Sequence, residues 1–337
     1  MMQALLGRVS AGENLSMDEM TTAIDSIMSG RCSTSEIALL LTALATKGET
    51  AEEVAGAAAA MRRHMTQIRT RHERFIDTCG TGGDGSGTFN ISTAAAIVTA
   101  AAGMPVAKHG NRKMTSKTGS ADVLAELGVN VEASVATVEH CLDEVGIGFC
   151  FAQSLHPAMR HVAAVRRELG IRTIFNLLGP LCNPASAPFQ LLGVGRPELR
   201  PLLSEAMRQL GTPRVAVVCG EDGLDEVTLN GLTRVTLLDQ GKLTELAWSP
   251  EDFGCSAKTL ESLAVEDAVG SAAMIRRVLN GELGPPRDIV VMNSAAALWT
   301  AGVDGSLSNC GRLAARAIDS GAASATLERL AKASHAC

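Results

Sequence analysis

The sequence contains no tyrosine, seven phenylalanines and two tryptophans, so aromatic residues fill only 3% of its 337 positions. Such a chain lacks the stacking platforms on which single-stranded nucleic acids are read. A formal charge of −6 also denies it the broadly basic surface that displaces phosphate counterions, which disfavours a general nucleic-acid binder. No apolar run approaches the length of a membrane span, and the opening MMQALLGRVSAGEN has no basic region followed by an apolar stretch and cleavage site. No membrane partner or secretory signal is expected, and the chain reads as cytoplasmic.

Paired cysteines are missing too. Nine cysteines stand at Cys32, Cys79, Cys141, Cys150, Cys182, Cys219, Cys255, Cys310 and Cys337, with no C-x-x-C among them. His156 and His161 have a zinc-finger-like separation but no cysteine pair to complete it, so no structural zinc is expected. The thiols read as reduced, small core residues, Cys79 beside a glycine loop included.

What remains is a globular composition, 46% hydrophobic and 20% charged, with length enough for an α/β core and a second, smaller domain. Helical patterning fills the first seventy residues or so, and capping boxes stand at Ser16/Glu19, Ser33/Glu36 and Thr50/Glu53. Ile37, Leu40, Leu41 and Leu44 recur at helical spacing, as do Val54, Ala57, Ala58 and Met61. From Arg74 the texture changes. Strands are expected at Phe75–Cys79, Met104–Lys108, Val145–Ala152, Phe189–Val194, Val215–Cys219 and Asp288–Met292, with helices at Ile91–Ala102 and Asp122–Leu127. Thr233–Leu238 and Leu243–Ala247 read as a hairpin insertion. The expected fold is α/β: a small helical domain at 1–72 and a larger α/β domain at 73–337 with a mostly parallel central sheet.

The stretch CGTGGDGSGTFNIST, Cys79–Thr93, fits G-x-G-x-x-G and opens a helix after a strand. A dinucleotide site also needs an acid about twenty residues on for the ribose. Here no Asp or Glu occurs from Gly85 through Ala121, and the second strand runs instead into KHGNRKMTSKTGS, Lys108–Ser120. Lys108, Arg112, Lys113 and Lys117 stand where a dinucleotide enzyme offers a carboxylate, which suits phosphate. The Walker pattern is absent. Glycines bring backbone N–H groups close to an anion, and Asn90, Ser92 and Thr93 open a helix whose N-terminus favours negative charge. Two such loops suit a ligand with phosphates at two ends.

Downstream, Asp225 and Glu226 follow the apolar strand Val215–Cys219 on a glycine-containing loop, a carboxylate pair suited to Mg²⁺ beside phosphates. In HPAMRHVAAVRRELG, His156–Gly170, Pro157 and Gly170 bracket a helix. Arg166 and Arg167 fall on different faces of it, and spacing alone does not say which would hold a substrate carboxylate. His156 and His161 read as structural.

Together GTGGDGSGTFNIST, KHGNRKMTSKTGSADVL, HPAMRHVAAVRRELGIRTIFNLLGPLCNPA and GLDE (223–226) resemble the anthranilate phosphoribosyltransferase family, in the same order along the chain. The resemblance implies the fold of that family, shared with class-two nucleoside phosphorylases, and a homodimer formed through the helical domains. It implies Mg²⁺-dependent transfer of a phosphoribosyl group from phosphoribosyl diphosphate to anthranilate, in tryptophan biosynthesis. Carried over residue by residue, Gly80, Gly83, Asp84, Thr88, Asn90, Ile91, Ser92 and Thr93 would line phosphoribosyl diphosphate. Lys108, His109, Gly110, Asn111, Arg112, Lys113, Met114, Thr115, Ser116 and Ser120 would complete that site. Gly80, Asn111 and Arg166 would contact anthranilate, and Ser92, Asp225 and Glu226 would serve the metal. No general base is assigned, since a neutral aromatic amine is itself a nucleophile. Asp84 would face either sugar hydroxyls or metal-bound water. The rival of the same fold is a pyrimidine nucleoside phosphorylase; Asn111 and the Asp225–Glu226 pair favour the transferase. The rival of another class is a non-catalytic relative that binds nucleic acid.

Overall fold

In the computed structural model, which describes residues 2–113 and 118–336, four helices come first: α1 (Met2–Ser10), α2 (Met17–Met28), α3 (Thr34–Lys47) and α4 (Ala51–Arg63). The last three begin at the expected capping boxes. Ser16, Ser33 and Thr50 accept from the N–H of Glu19, Glu36 and Glu53, and each glutamate accepts the cap N–H in return. Donors that a helix start leaves orphaned are thus satisfied locally.

Strands and helices then alternate as β1 (Ile76–Gly80), α5 (Ile91–Ala101), β2 (Val106–Gly110), α6 (Ser120–Glu126), α7 (Val135–His140) and β3 (Ile147–Phe151). They continue through α8 (Ala152–Leu155), α9 (Arg160–Leu169), α10 (Phe175–Leu178), β4 (Phe189–Gly193), α11 (Leu199–Gln209) and β5 (Arg214–Gly220). The hairpin β6 (Thr233–Asp239) and β7 (Lys242–Trp248) precedes α12 (Ala268–Leu279), α13 (Pro285–Thr300), α14 (Leu307–Asp319) and α15 (Ala322–Ser334).

Two expectations change. Asp288–Met292 is not a strand but the first half of α13. Every residue from Ile289 to Leu298 is buried, so no polar face marks the helical period and a short window of it looks like a buried strand. The hairpin is not a separate insertion either. It pairs with β5 along the whole of β6 and carries the sheet outward, with the largely exposed β7 as its charged edge.

The seven strands lie in the order β3-β2-β1-β4-β5-β6-β7, parallel from β3 to β5 and antiparallel beyond. The chain builds outward from β1 through β2 to β3, then returns to place β4 on the other side of β1. The carboxyl ends of β1 and β4 are therefore a topological switch point, where an open α/β sheet leaves its ligand crevice.

Side chains alternate across the pleat, and β5 shows it plainly. Val215, Val217 and Cys219 join one hydrophobic cluster, while Ala216 and Val218 join the other. Helices α5 and α12–α15 cover the second face. On the first, residues of α1–α4 share a cluster with Val162, Val165, Leu178, Leu203 and Met207 of α9–α11. The helical layer is thus assembled from the start and the middle of the sequence, with α9 packed on α2 and α3 and α10 on α4.

Candidate active site

A cleft of about 380 Å³ opens at the switch point. One wall is the loop after β1. Gly82, Gly83, Gly85 and Gly87 have φ of 66°, 78°, 74° and 68°, a left-handed geometry that side chains oppose, so the loop can curl tightly. Asn90 then caps α5, its Oδ1 accepting from the Thr93 N–H at 3.2 Å and from the Thr93 hydroxyl. Gly80, Gly83, Asp84, Thr88, Asn90, Ile91 and Ser92 all line the cleft, whereas Thr93 is buried behind the cap. Thr81 and Gly82 line it as well, although the sequence reading passed over them.

The opposite wall is the end of β2. Lys108, His109, Gly110, Asn111, Arg112 and Ser120 line it. Lys108 does not project freely. The residue is 2% exposed, and its ammonium donates to the Thr78 carbonyl at 2.7 Å and the Ser92 hydroxyl at 3.2 Å. Arg112 lies over the Phe151 ring and forms ion pairs with Asp122 at 3.4 Å and Glu132 at 2.8 Å. Asp122 also accepts the Lys113 N–H at 2.9 Å and the Gly119 N–H at 3.3 Å, pinning both ends of the basic loop to one carboxylate. Lys113 is exposed and outside the cleft lining. Met114, Thr115, Ser116 and Lys117 lie outside the described residues.

The floor comes from the loop after β5. Asp225 Oδ2 accepts the Gly82 N–H at 3.0 Å. A Cβ on Gly80 would stand 2.8 Å from that oxygen, and one on Gly193 would stand 1.7 Å from the Asp225 carbonyl, so both strands must end in glycine for the acidic loop to seat. Burial, then the Asp84 charge, pushes the Asp225 carboxyl up to about 7. Burial and the neighbouring Asp225 push Glu226 well above the ordinary range, against the pull of Lys108. Asp84, Asp225 and Glu226 thus crowd negative charge onto one spot, with the fully buried Lys108 the cation that offsets it.

Among the described residues no group of three or more His, Cys, Asp or Glu has the convergence to hold a metal ion unaided. The donor set is nevertheless all oxygen and in excess of its countercharge. That fits a hard cation such as Mg²⁺, which takes one or two carboxylates and completes its shell with water and phosphate oxygens. Ser92 is committed to Lys108 in this geometry.

Three residues distant in sequence from their partners hold the cleft in shape. The fully buried Ser271 hydroxyl accepts the Asn90 N–H at 2.9 Å, and Thr88 forms an antiparallel bridge with Ala264. Fully buried Asp77 accepts the His109 N–H at 3.0 Å. Ser271 has no local signal. Asp77 had one, a carboxylate inside an apolar strand.

The histidines pair. His156 Nε2 lies 3.2 Å from His109 Nε2, and His109 Nδ1 bonds the Gly179 carbonyl at 3.0 Å. Burial pushes His109 down to about 3 and His156 to about 4, so both are neutral. Cys79 is inert: burial, then Asp77, holds its thiol well above the usual range.

Arg166 lies outside the cleft lining. It is half-buried on α9, over the Phe175 ring, and donates to Asn176 Oδ1 at 3.3 Å, with no acidic partner among the described residues. Arg167 is exposed. Asn176 belongs to α10, and α10 ends at Gly179, whose carbonyl His109 holds. One short helix therefore connects the Arg166 guanidinium with the cleft. His161 packs on Gly30 at the end of α2 and is structural.

The helical-bundle model of the glycosyl transferase family matches residues 3–65, and the a/b-domain model of that family matches residues 72–324. The anthranilate phosphoribosyltransferase of Moorella thermoacetica is 49% identical over 330 residues, 98% of this chain and 97% of the relative. The crystal structure of anthranilate phosphoribosyltransferase from Thermus thermophilus superimposes with a TM-score of 0.91 at 42% identity, covering 98% of this chain and 99% of the other. The enzyme from Saccharomyces cerevisiae, solved in complex with PRPP and Mg, gives a TM-score of 0.90 at 29% identity, covering 99% and 97%.

Proposed function

The chain belongs to the anthranilate phosphoribosyltransferase family, and we propose that its cleft transfers the phosphoribosyl group of phosphoribosyl diphosphate to the amine of anthranilate. The amine nitrogen bonds C1 of the ribose as the C1–O bond to diphosphate breaks, and the proton the nitrogen then sheds passes to the departing diphosphate or to water. Diphosphate and N-(5-phosphoribosyl)anthranilate leave, the latter for tryptophan biosynthesis. The observation that carries this reading is the meeting, at one switch point, of a left-handed glycine loop with the over-crowded Asp84–Asp225–Glu226 carboxylates.

In this reading the loop Gly80–Ser92, through the amides it does not spend on Gly193, Asp225, Leu263 and Ser271, and the turn Lys108–Asn111 bind the phosphates, and Arg112, Lys113, Met114, Thr115, Ser116 and Ser120 complete that site. Thr93 acts through the Asn90 cap. Asp225 and Glu226, with Ser92 and Asp84 alongside, hold Mg²⁺. Bound there, the ion offsets the charge that gathers on departing diphosphate. The chain's own part is positioning and electrostatic stabilisation, the large terms when a leaving anion rather than a proton governs the barrier. Arg166, lacking an acid of its own, takes the anthranilate carboxylate in a bidentate fork, and Gly80 and Asn111 border the amine. His109 and His156 are neutral and both ring nitrogens of His109 are occupied, so the reading assigns neither as base.

The partner is a second copy of the chain, joined through the helical layer, where Leu39 on α3 is 49% exposed. The eight described cysteines are free thiols, which suits a reducing cytoplasm. The test is loss of anthranilate fluorescence with purified protein, phosphoribosyl diphosphate and Mg²⁺. Loss that requires both supports the reading; no loss, with phosphorolysis of thymidine or uridine instead, overturns it.

A further inference from the structure

Residues 180–184 are buried and belong to no helix or strand. Buried irregular backbone is costly unless each polar group finds a partner. Here successive carbonyls are met by side chains from different elements. His109 of β2 donates to Gly179, Gln190 of β4 to Pro180 at 2.7 Å, and Arg62 of α4 to Leu181 at 2.7 Å. Asn183 Nδ2 donates to Ala107 at 2.8 Å. Gln190 is the hub. Its Nε2 also approaches Cys79 Sγ at 3.0 Å and Asp77 Oδ2 at 3.3 Å, while Asp77 Oδ1 accepts the His109 N–H. One buried amide thus ties the Gly179–Asn183 segment to the strands that end at the cleft.

We infer that Gln190 is a positioning residue for the acceptor half of the site: through the Pro180 carbonyl and Asp77 it fixes the Gly179–Asn183 wall and the His109 ring. The inference rests on the proposed function for its placement of the acceptor beside α10 and His109. The wall joins the two sides of that place, since Arg166 contacts Phe175 and Asn176 of α10 while His109 faces the cleft. Gln190 does not line the cleft. Arg62, which reaches the same wall from the helical layer, links the bundle to it.

Gln190→Met keeps the length of the side chain and removes the donor. The expected result is a KM for anthranilate raised about tenfold, as for a sub-ångström to ångström misplacement, with the KM for phosphoribosyl diphosphate within about twofold. Arg62→Met, on another element, moves the same constant in the same direction if Gln190→Met fails to fold. Equal rises in both constants, or no rise, overturn the inference. The His109 Nδ1–H proton resonance gives a readout independent of turnover: it shifts in the variant if Gln190 positions the ring and stays put if it does not. Wild-type protein that consumes no anthranilate sinks the proposed function instead, and the resonance then decides the positioning role by itself.

Discussion

The Gly82 N–H donates to the Asp225 carboxylate across 3.0 Å, joining the loop after β1 to the loop after β5 over 143 residues of sequence. A phosphate-binding loop would ordinarily turn its amides to the ligand, yet this one spends an amide on an acid. The contact fixes where the glycine loop stands relative to the carboxylates, so cation and diphosphate sites share one frame.

That carboxylate makes stability depend on pH. Its ordinary value of 3.8 rises to about 7 in the folded protein, so the folded state holds the proton more tightly than the unfolded one. Its contribution is fully present below the unfolded value and is lost as pH rises through about 7. Without Mg²⁺, Asp225→Asn should melt close to wild type near pH 4 and several degrees above it at pH 8, because an amide can still accept from Gly82. Thermal melts across that range check the difference. Other groups, including the histidine pair, are common to both proteins. Parallel curves would show that Asp225 is not the group responsible.

Gly193 is the tighter of the two glycine contacts. Gly193→Ala places its methyl 1.7 Å from the Asp225 carbonyl. Backbone must shift, at an expected cost of about 1–3 kcal/mol, and the acidic loop shifts with it. Calorimetry should show the lost stability, and Mg²⁺-dependent turnover should fall further than the melting point alone explains. Full activity at wild-type Mg²⁺ would mean the loop has another way to seat.

Ser271 should matter to one substrate only. Ser271→Ala leaves the part-buried Asn90 N–H without its acceptor, which costs about 1 kcal/mol, and loosens the cap at the start of α5. The expected outcome is a raised KM for phosphoribosyl diphosphate with that for anthranilate unchanged, measured by varying each substrate in turn. Ser271→Thr, which keeps the hydroxyl, should recover most of the loss.

Local chemistry was legible in the sequence. Capping boxes span four residues, and the glycine loop and the Asp225–Glu226 pair each lie within one loop, so their patterns survive without the fold. Partners from elsewhere were not legible. Asp77 meets His109 at 32 residues and Gln190 at 113, and Ser271 meets Asn90 at 181. Lys108 stood out as a phosphate cation, but as a strand-end residue its direction follows the register of β2, and it turns under the cleft to Thr78. In α13 the burial of every residue from Ile289 to Leu298 erased the period that would have told helix from strand.

Arg166 and Arg167 are neighbours that spacing could not rank, and their surroundings now separate them. Arg167 is exposed, whereas Arg166 rests on Phe175 and donates to the neutral Asn176. Burial lowers the pKa of Arg166, without an acid among the described residues to restore it. A half-buried guanidinium of this kind gains from an incoming carboxylate, and a charge-assisted pair is worth about 1.5–3 kcal/mol. Arg166→Ala should therefore raise the KM for anthranilate by about 10- to 150-fold, with that for phosphoribosyl diphosphate little changed. Arg166→Lys should recover only part of this, because a point charge cannot form the planar fork. Arg167→Ala should change neither constant. Steady-state kinetics on the three variants decides the assignment: equal losses for both substrates in Arg166→Ala would make the residue a support of the α9–α10 junction rather than a carboxylate ligand.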